Sequence, residues 1–289
     1  MVKKELFIKD IKSQKDMDKL RSKFKQAWID GWDMDEREVN IISKVLGIGP
    51  SEVVKLKEEK INPKYNKCFD EGCLFYTNMS TPVVEYSDKL ILHRFRLFLK
   101  ERFLVTLRSV YSSRIIDSTI RTFQSLPLNE RKPSVILAKL IHDIIDENSG
   151  AMFSIRDKID QIESQAMESH KKKSIMHAIF KLKRHLSTFH RLLWAEKELL
   201  SDINLGVIPN LSLANEAERI INDAADDITR ELEFLDRYEN SLDSILSLLN
   251  LGSIHSVERV LVLLTWALVF MTLVLVFIEL GIIDLILGM

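Results

Sequence analysis

Cysteine is nearly missing from this 289-residue chain, which has only Cys68 and Cys73 in "CFDEGC" and no second Cys or His pair beside them. A C-x4-C spacing alone supports neither a zinc site nor a disulfide framework, so both residues are read as reduced thiols. An excess of one charge is missing as well. With 41 Lys and Arg against 42 Asp and Glu the formal charge is −1, so no overall field gathers nucleic acid, and none is expected as a partner. The chain has no GxGxxG, GxxxxGK[ST], HExxH or GxSxG. The common nucleotide, metalloprotease and hydrolase signatures are therefore absent, and neither an enzyme nor a resident cofactor is expected. The opening "MVKKELFIKDIKSQKDMDK" lacks the uninterrupted apolar stretch and cleavage pattern of a signal peptide. Most of the chain is expected to stay in the cytoplasm.

Proline stands at positions 50, 63, 82, 127, 133 and 209 and is absent from the last eighty residues. Charge is absent from Val260 to Ile278, nineteen residues that span roughly 28 Å as a helix, the thickness of a bilayer's hydrocarbon core. This segment predicts a transmembrane helix. Arg259 abuts its near end, Glu279 and Asp284 lie at the far end and no Lys or Arg follows. The charge asymmetry places the N-terminus inside and makes the chain a single-pass protein of the cell membrane.

With 46% hydrophobic and 29% charged residues the remainder can bury a sizeable core. Up to residue 110 the runs "ELFIKD", "AWID", "CLFYTNMS", "DKLILHRFRLFLK" and "RFLVTLRS" read as strands, and "DEREVNIISKVLG" and "PSEVVKLKEE" as short helices. An α/β sheet domain is expected over 1–110. A helical layer should occupy 111–210: a helix in "SSRIIDSTIRTFQSL", one from Pro133 through "DENSGAMFSIRDKIDQIESQAMES", and one after "HKKKS" ending at "SDIN". "ESHKKKS" reads as a solvated turn, and "KLKRH" with Arg191 as a basic stripe paired with acidic neighbours in the layer. From Leu211 nothing compels a break, which gives a stalk helix over 211–259, a transmembrane helix over 260–280 and a short outer tail over 281–289. Such a rod needs bundle partners, other subunits or both, because it cannot bury its apolar stripe alone.

The order of these elements and several strings resemble the CorA family of divalent-cation transporters. Trp28, Ile29, Asp30, Leu46, Gly47, Ile48, Pro63 and Lys64 match its N-terminal run, and "FLVTLRS" is similar to the strand that closes its sheet. Asp143, Ile144, Ile145 and Asp146 match its Asp-x-Ile-Val-Asp helix, "LKRHLSTFHRLLWAEKELLSDI" its Lys-Arg…Arg-x-x-x-Pro segment, and Leu264 and Thr265 the entry to its first membrane helix. The resemblance implies a homopentamer whose cytosolic α/β domains form a funnel above a pore lined by five long helices. It also implies magnesium or another divalent cation as the transported ion, and regulation by cytosolic cation at carboxylates between subunits. Asp223 and Asp226 match the stalk's Asp-x-x-Asp and are the candidate regulatory metal ligands. The chain departs from the family in its outer part. The Gly-Met-Asn signature is absent, and its places fall at about Ile282, Ile283 and Asp284, the selectivity-filter equivalent. Leu261 stands for the gating Met, Val262 for the neighbouring Lys and Glu258 for the pore-facing Asn. A second membrane helix and a basic tail do not follow, so this is either a single-span member or a chain cut short.

A heptad walk places Glu258, Leu261, Thr265, Leu268, Thr272, Leu275 and Glu279 on one helix face, continuing to Ile282. Apart from Trp266, every polar side chain of the span lies on it. Around a symmetry axis the face becomes carboxylate rings at Glu258 and Glu279, hydroxyl rings at Thr265 and Thr272, and leucine constrictions between them. The simpler reading stays open: Glu279 marks the water boundary, lone threonines bond their own helix backbone, and the face is an oligomerising seam. His142 and Asp146 have an i, i+4 spacing compatible with metal, although a hydrogen-bonded core His is the better explanation. Against the transporter stands a non-conducting, membrane-anchored scaffold or sensor with the same cytosolic domain.

Overall fold

The computed structural model describes residues 6–7, 27–32, 36–58, 67–69, 72–84, 90–100, 103–108, 113–127, 130–168, 172–208 and 211–279. Six strands form one sheet: β1 (Leu6–Phe7), β2 (Ala27–Trp32), β3 (Lys67–Phe69), β4 (Gly72–Val84), β5 (Leu90–Lys100) and β6 (Phe103–Arg108). Their order is β1-β2-β6-β5-β4-β3. The first three run parallel, and the sequential strands β3 to β6 form an antiparallel meander. The expected strands are all present, and β3, which is three residues long, is an addition. Its register sets Cys68 opposite Cys73.

Helices α1 (Glu36–Leu46) and α2 (Pro50–Glu58) cross over from β2. Gly47 links them at φ 66°, a left-handed turn that costs a glycine little. They cover one sheet face, burying Ile42, Leu46 and Val53 against Leu74, Tyr76, Phe98, Val105 and Leu107. The alternate residues Phe75, Met79, Phe95, Leu97, Leu99 and Leu104 join the helices on the other face. With both faces covered, Phe95 and Leu97 to Leu99 must all be apolar, which is why β5 shows no clean alternation in sequence.

The helical layer comprises α3 (Ser113–Ser125), α4 (Pro133–Asp146), α5 (Asn148–Glu168), α6 (Lys172–Asn204) and α7 (Asn215–Glu279). Pro133 begins α4, where its missing N–H costs no bond. The single helix expected from Pro133 onward is two: the chain turns at Glu147, and α5 restarts on Asn148 and Ser149, residue types that favour helix starts. Helices α6 and α7 pack side by side through two heptad stripes. On α6 these are Ile175, Ile179, Leu182, Leu186, Phe189, Leu193, Glu196, Leu200 and Ile203, all buried. On α7 they are Ala217, Ile221, Ala224, Ile228, Glu231, Leu235, Tyr238, Leu242, Ile245 and Leu249, all buried except half-buried Tyr238. Of the basic stripe, Lys183 pairs with an acidic residue of the stalk helix rather than of the layer, its Nζ 2.5 Å from Asp243 on α7.

Helix α7 is 65 residues long, about 97 Å at helical rise. Its last 22 residues, Glu258–Glu279, contain an 18-residue window with a mean hydropathy of 2.8, none of it buried within the chain. Leu249 is the last residue of the stripe on α6 among the described side chains before Glu258. The apolar end of α7 therefore finds no cover among the described residues of one copy of the chain.

Candidate functional site

On an ideal helix, Glu258, Leu261, Thr265, Leu268, Thr272, Leu275 and Glu279 fall within an arc of about 100°, with Trp266 well outside it. All seven side chains are exposed. Thr265 Oγ1 donates to the Leu261 carbonyl oxygen at 2.8 Å, and Thr272 Oγ1 to that of Val269, also at 2.8 Å. Each hydroxyl thus satisfies its proton within the helix and keeps its oxygen as an acceptor. Ile282, Ile283 and Asp284 lie outside the described residues.

Asp223 and Asp226 are exposed on the stalk. Asp223 Oδ2 is 3.8 Å from Arg219 Nη1 and borders a cavity of about 230 Å³ shared with Lys139, His142, Glu216 and Arg219. Among the described residues no three His, Cys, Asp or Glu side chains converge as a metal cluster, and the pair finds no further ligands among them. His142 does not form a site with Asp146, which is exposed. Its Nε2 instead lies 3.7 Å from Asp227 on α7. Its neighbour Asp143 accepts from Thr119 Oγ1 at 2.7 Å and pairs with Lys139 at 2.9 Å. Burial alone would raise the Asp143 carboxyl, but the bonds from its neighbours outweigh burial and hold it below its ordinary value.

The Trp-Ile-Asp string serves the sheet. Asp30 on β2 takes a forked bond from Arg108 on β6, Nε at 3.1 Å and Nη2 at 2.9 Å to Oδ2, and a 2.6 Å bond from Thr106 Oγ1. Trp28 Nε1 donates to the same threonine at 3.3 Å, and Arg108 lies 5.0 Å over the ring of Trp32. Burial pushes the Asp30 carboxyl above its ordinary value although Arg108 and Thr106 pull it down.

Sequence reasoning missed a second buried carboxylate group. Glu196 is wholly buried and Glu231 is 7% exposed, and each takes one core place in its heptad stripe. Asn148 Nδ2 donates to Glu196 Oε2 at 3.2 Å, and Ser149 Oγ donates to Glu231 Oε1 at 3.2 Å. Burial raises both carboxyls, Glu196 well above the usual range and Glu231 to about 7. The signal was present, since each glutamate interrupts an otherwise apolar 3-4 repeat, but only the pairing of α6 with α7 shows that the two interruptions meet.

An α/β body, its sheet covered by helices on both faces, that continues through one long helix into an apolar segment of membrane-spanning length defines a membrane protein with a soluble domain built on its stalk. The fold is that of the CorA magnesium transporter from Methanocaldococcus jannaschii: its complete structure superposes with a TM-score of 0.68 at 18% identity, covering 84% of this chain and 74% of that one. The full-length CmaX structure superposes with a TM-score of 0.63 at 15% identity, covering 83% and 72%. Over 180 residues the sequence is 23% identical to the cobalt/magnesium transport protein CorA of M. jannaschii, 61% of this chain and 55% of that protein. The chain thus spans about half the length of the curated relative it matches. The family model described as "CorA-like Mg2+ transporter protein" matches residues 25–278, and the chain belongs to that family. The family is one of membrane transporters, not of enzymes.

Proposed function

We propose that this protein is an oligomeric membrane channel or transporter for divalent metal cations, with magnesium, the ion in the family's description, as the first candidate. The observation that carries this reading is the arc of Glu258, Thr265, Thr272 and Glu279 on an uncovered apolar helix. Five copies about one axis would turn that arc into the wall of a bore and bury the leucines against each other. Carboxylate rings attract cations, hydroxyl oxygens replace hydration water, and leucine rings close the path by dewetting. Both threonines keep an acceptor oxygen free for this role. The α/β body lies in the cytoplasm, where Asp223 and Asp226, completed by a neighbouring subunit, would bind the regulatory cation.

Magnesium influx into proteoliposomes tests the reading. The native chain should carry ions above empty liposomes, and Glu279→Ala should lower the flux by about tenfold or more, the effect of removing a carboxylate ring from a cation path. Flux unchanged in the variant removes Glu279 from the path. Native flux equal to that of empty liposomes leaves the anchored scaffold as the function.

A further inference from the structure

The heptad stripes of α6 and α7 each admit one ionisable side chain to the core, Glu196 and Glu231, and both meet the first turn of α5. Helices interlocked through such stripes are ordinarily apolar at these places, and an isolated ionised carboxylate there is costly. Among the described residues neither glutamate has a cationic partner: Glu196 is surrounded by Asn148, Glu231 and the Ser80 backbone of β4, and Glu231 by Ser149, Asn148, Asp227 and Asp146. Glu196 Oε1, Glu231 Oε2 and Asn148 Oδ1 are buried and accept nothing. All three are acceptors, so what the cluster lacks is a hydrogen-bond donor or a cation.

We propose that Glu196 and Glu231 form a proton-binding site that locks the stalk helix to α5 and α6. A proton on either carboxyl turns one orphaned acceptor into a donor and supplies a partner for another. Protonation also removes a charge from the core, so one event cures both defects. The donors already present favour a proton over a metal ion: the Asn148 amide N–H, the Ser149 hydroxyl and the Ser80 backbone N–H all point at the carboxylates, where they would repel a bound cation. Loss of the protons leaves two like charges between α6 and α7, and their repulsion loosens the contact that hands the stalk on to the membrane. Because both carboxyls are raised in the folded state, their stabilisation is complete below the ordinary glutamate value of 4.5; that of Glu231 is lost as pH rises through about 7, and that of Glu196, whose carboxyl is raised well above its ordinary value by burial, is lost in the same direction.

The test is thermal and denaturant unfolding of the full chain in detergent between pH 5 and 8.5, comparing the native protein with Glu196→Gln/Glu231→Gln. The native protein should become easier to unfold across this range by on the order of a hundredfold in the unfolding constant, because the folded chain holds its protons that much more tightly than the unfolded one. The double variant should stay flat. Asp30 is unchanged in both proteins, so its own titration cancels in the comparison. Parallel slopes in the two proteins overturn the proposal. So does suppression of the native loss by millimolar magnesium in a chain that also carries Asp223→Asn/Asp226→Asn, which would make the occupant of the buried pair a cation. Where the double variant fails to fold, infrared spectroscopy of native protein carrying isotope-labelled glutamate decides. A protonated glutamate carboxyl stretch that fades near pH 7 supports the site, and absence of that stretch throughout the range overturns it.

Discussion

At the scale of single residues, the forked bond between Asp30 and Arg108 shows how a sequence string can be noticed without its role. Both side chains are nearly inaccessible, 5% and 6% exposed, and they join the parallel pair β2 and β6, whose contact spans more than seventy residues of sequence. Asp30→Ala would leave the guanidinium buried without its counter-charge, and should cost about 3–5 kcal/mol in denaturant unfolding of the full chain. Thr106→Val removes the hydroxyl's bond to the Asp30 carboxylate and the acceptor of Trp28 Nε1, and should cost about 1–3 kcal/mol, because the carboxylate keeps the arginine. Equal losses from the two substitutions would show that the hydroxyl, and not the ion pair, holds the strands together. The tryptophans and the aspartate of this string were legible as a unit. Their partners Thr106 and Arg108 were not, since nothing in a linear pattern says which later strand returns beside β2.

At the scale of elements, legibility followed the length and regularity of the burial pattern. The strands and α7 could be read because each carries a period, or an unbroken apolar run, over many residues. The turn at Glu147 was passed over because the apolar spacing of α4 and α5 continues on either side of it, and only the helix-starting pair Asn148 and Ser149 marks it. That turn has a consequence: it brings the first residues of α5 to Glu196 and Glu231, so the buried carboxyls owe their donors to the break. In the membrane end of α7 the alternation of leucine with threonine gives a separate expectation. If Leu268 forms a dewetting constriction, Leu268→Ser should admit water and raise resting magnesium flux several-fold in proteoliposomes. If the face is merely a seam, the same change weakens association and leaves flux unaltered.

At the scale of the whole molecule, α7 needs more cover than the described residues of one chain provide. One copy covers the stalk from Ala217 to Leu249 along the side that meets α4, α5 and α6, yet Phe234 and Leu248 remain 45% and 59% exposed, and every side chain from Glu258 to Glu279 is exposed. Lipid can cover most of the spanning segment, but Glu258 and Glu279 gain nothing from hydrocarbon, and lipid cannot reach the aqueous stalk. A ring of copies answers both demands, because the stalks then cover one another's leftover apolar side chains and the polar arc turns inward to water. The expected state is five subunits, read by mass photometry of the full chain in detergent. Phe234→Lys places a charge on the stalk surface away from the α6 stripe, so it should leave each subunit folded by circular dichroism and shift the mass distribution to smaller assemblies. A population that is monomeric from the outset would remove the bore. The arc from Leu261 to Leu275 would then face lipid acyl chains, and Glu258 and Glu279 would bracket the span as its two water boundaries.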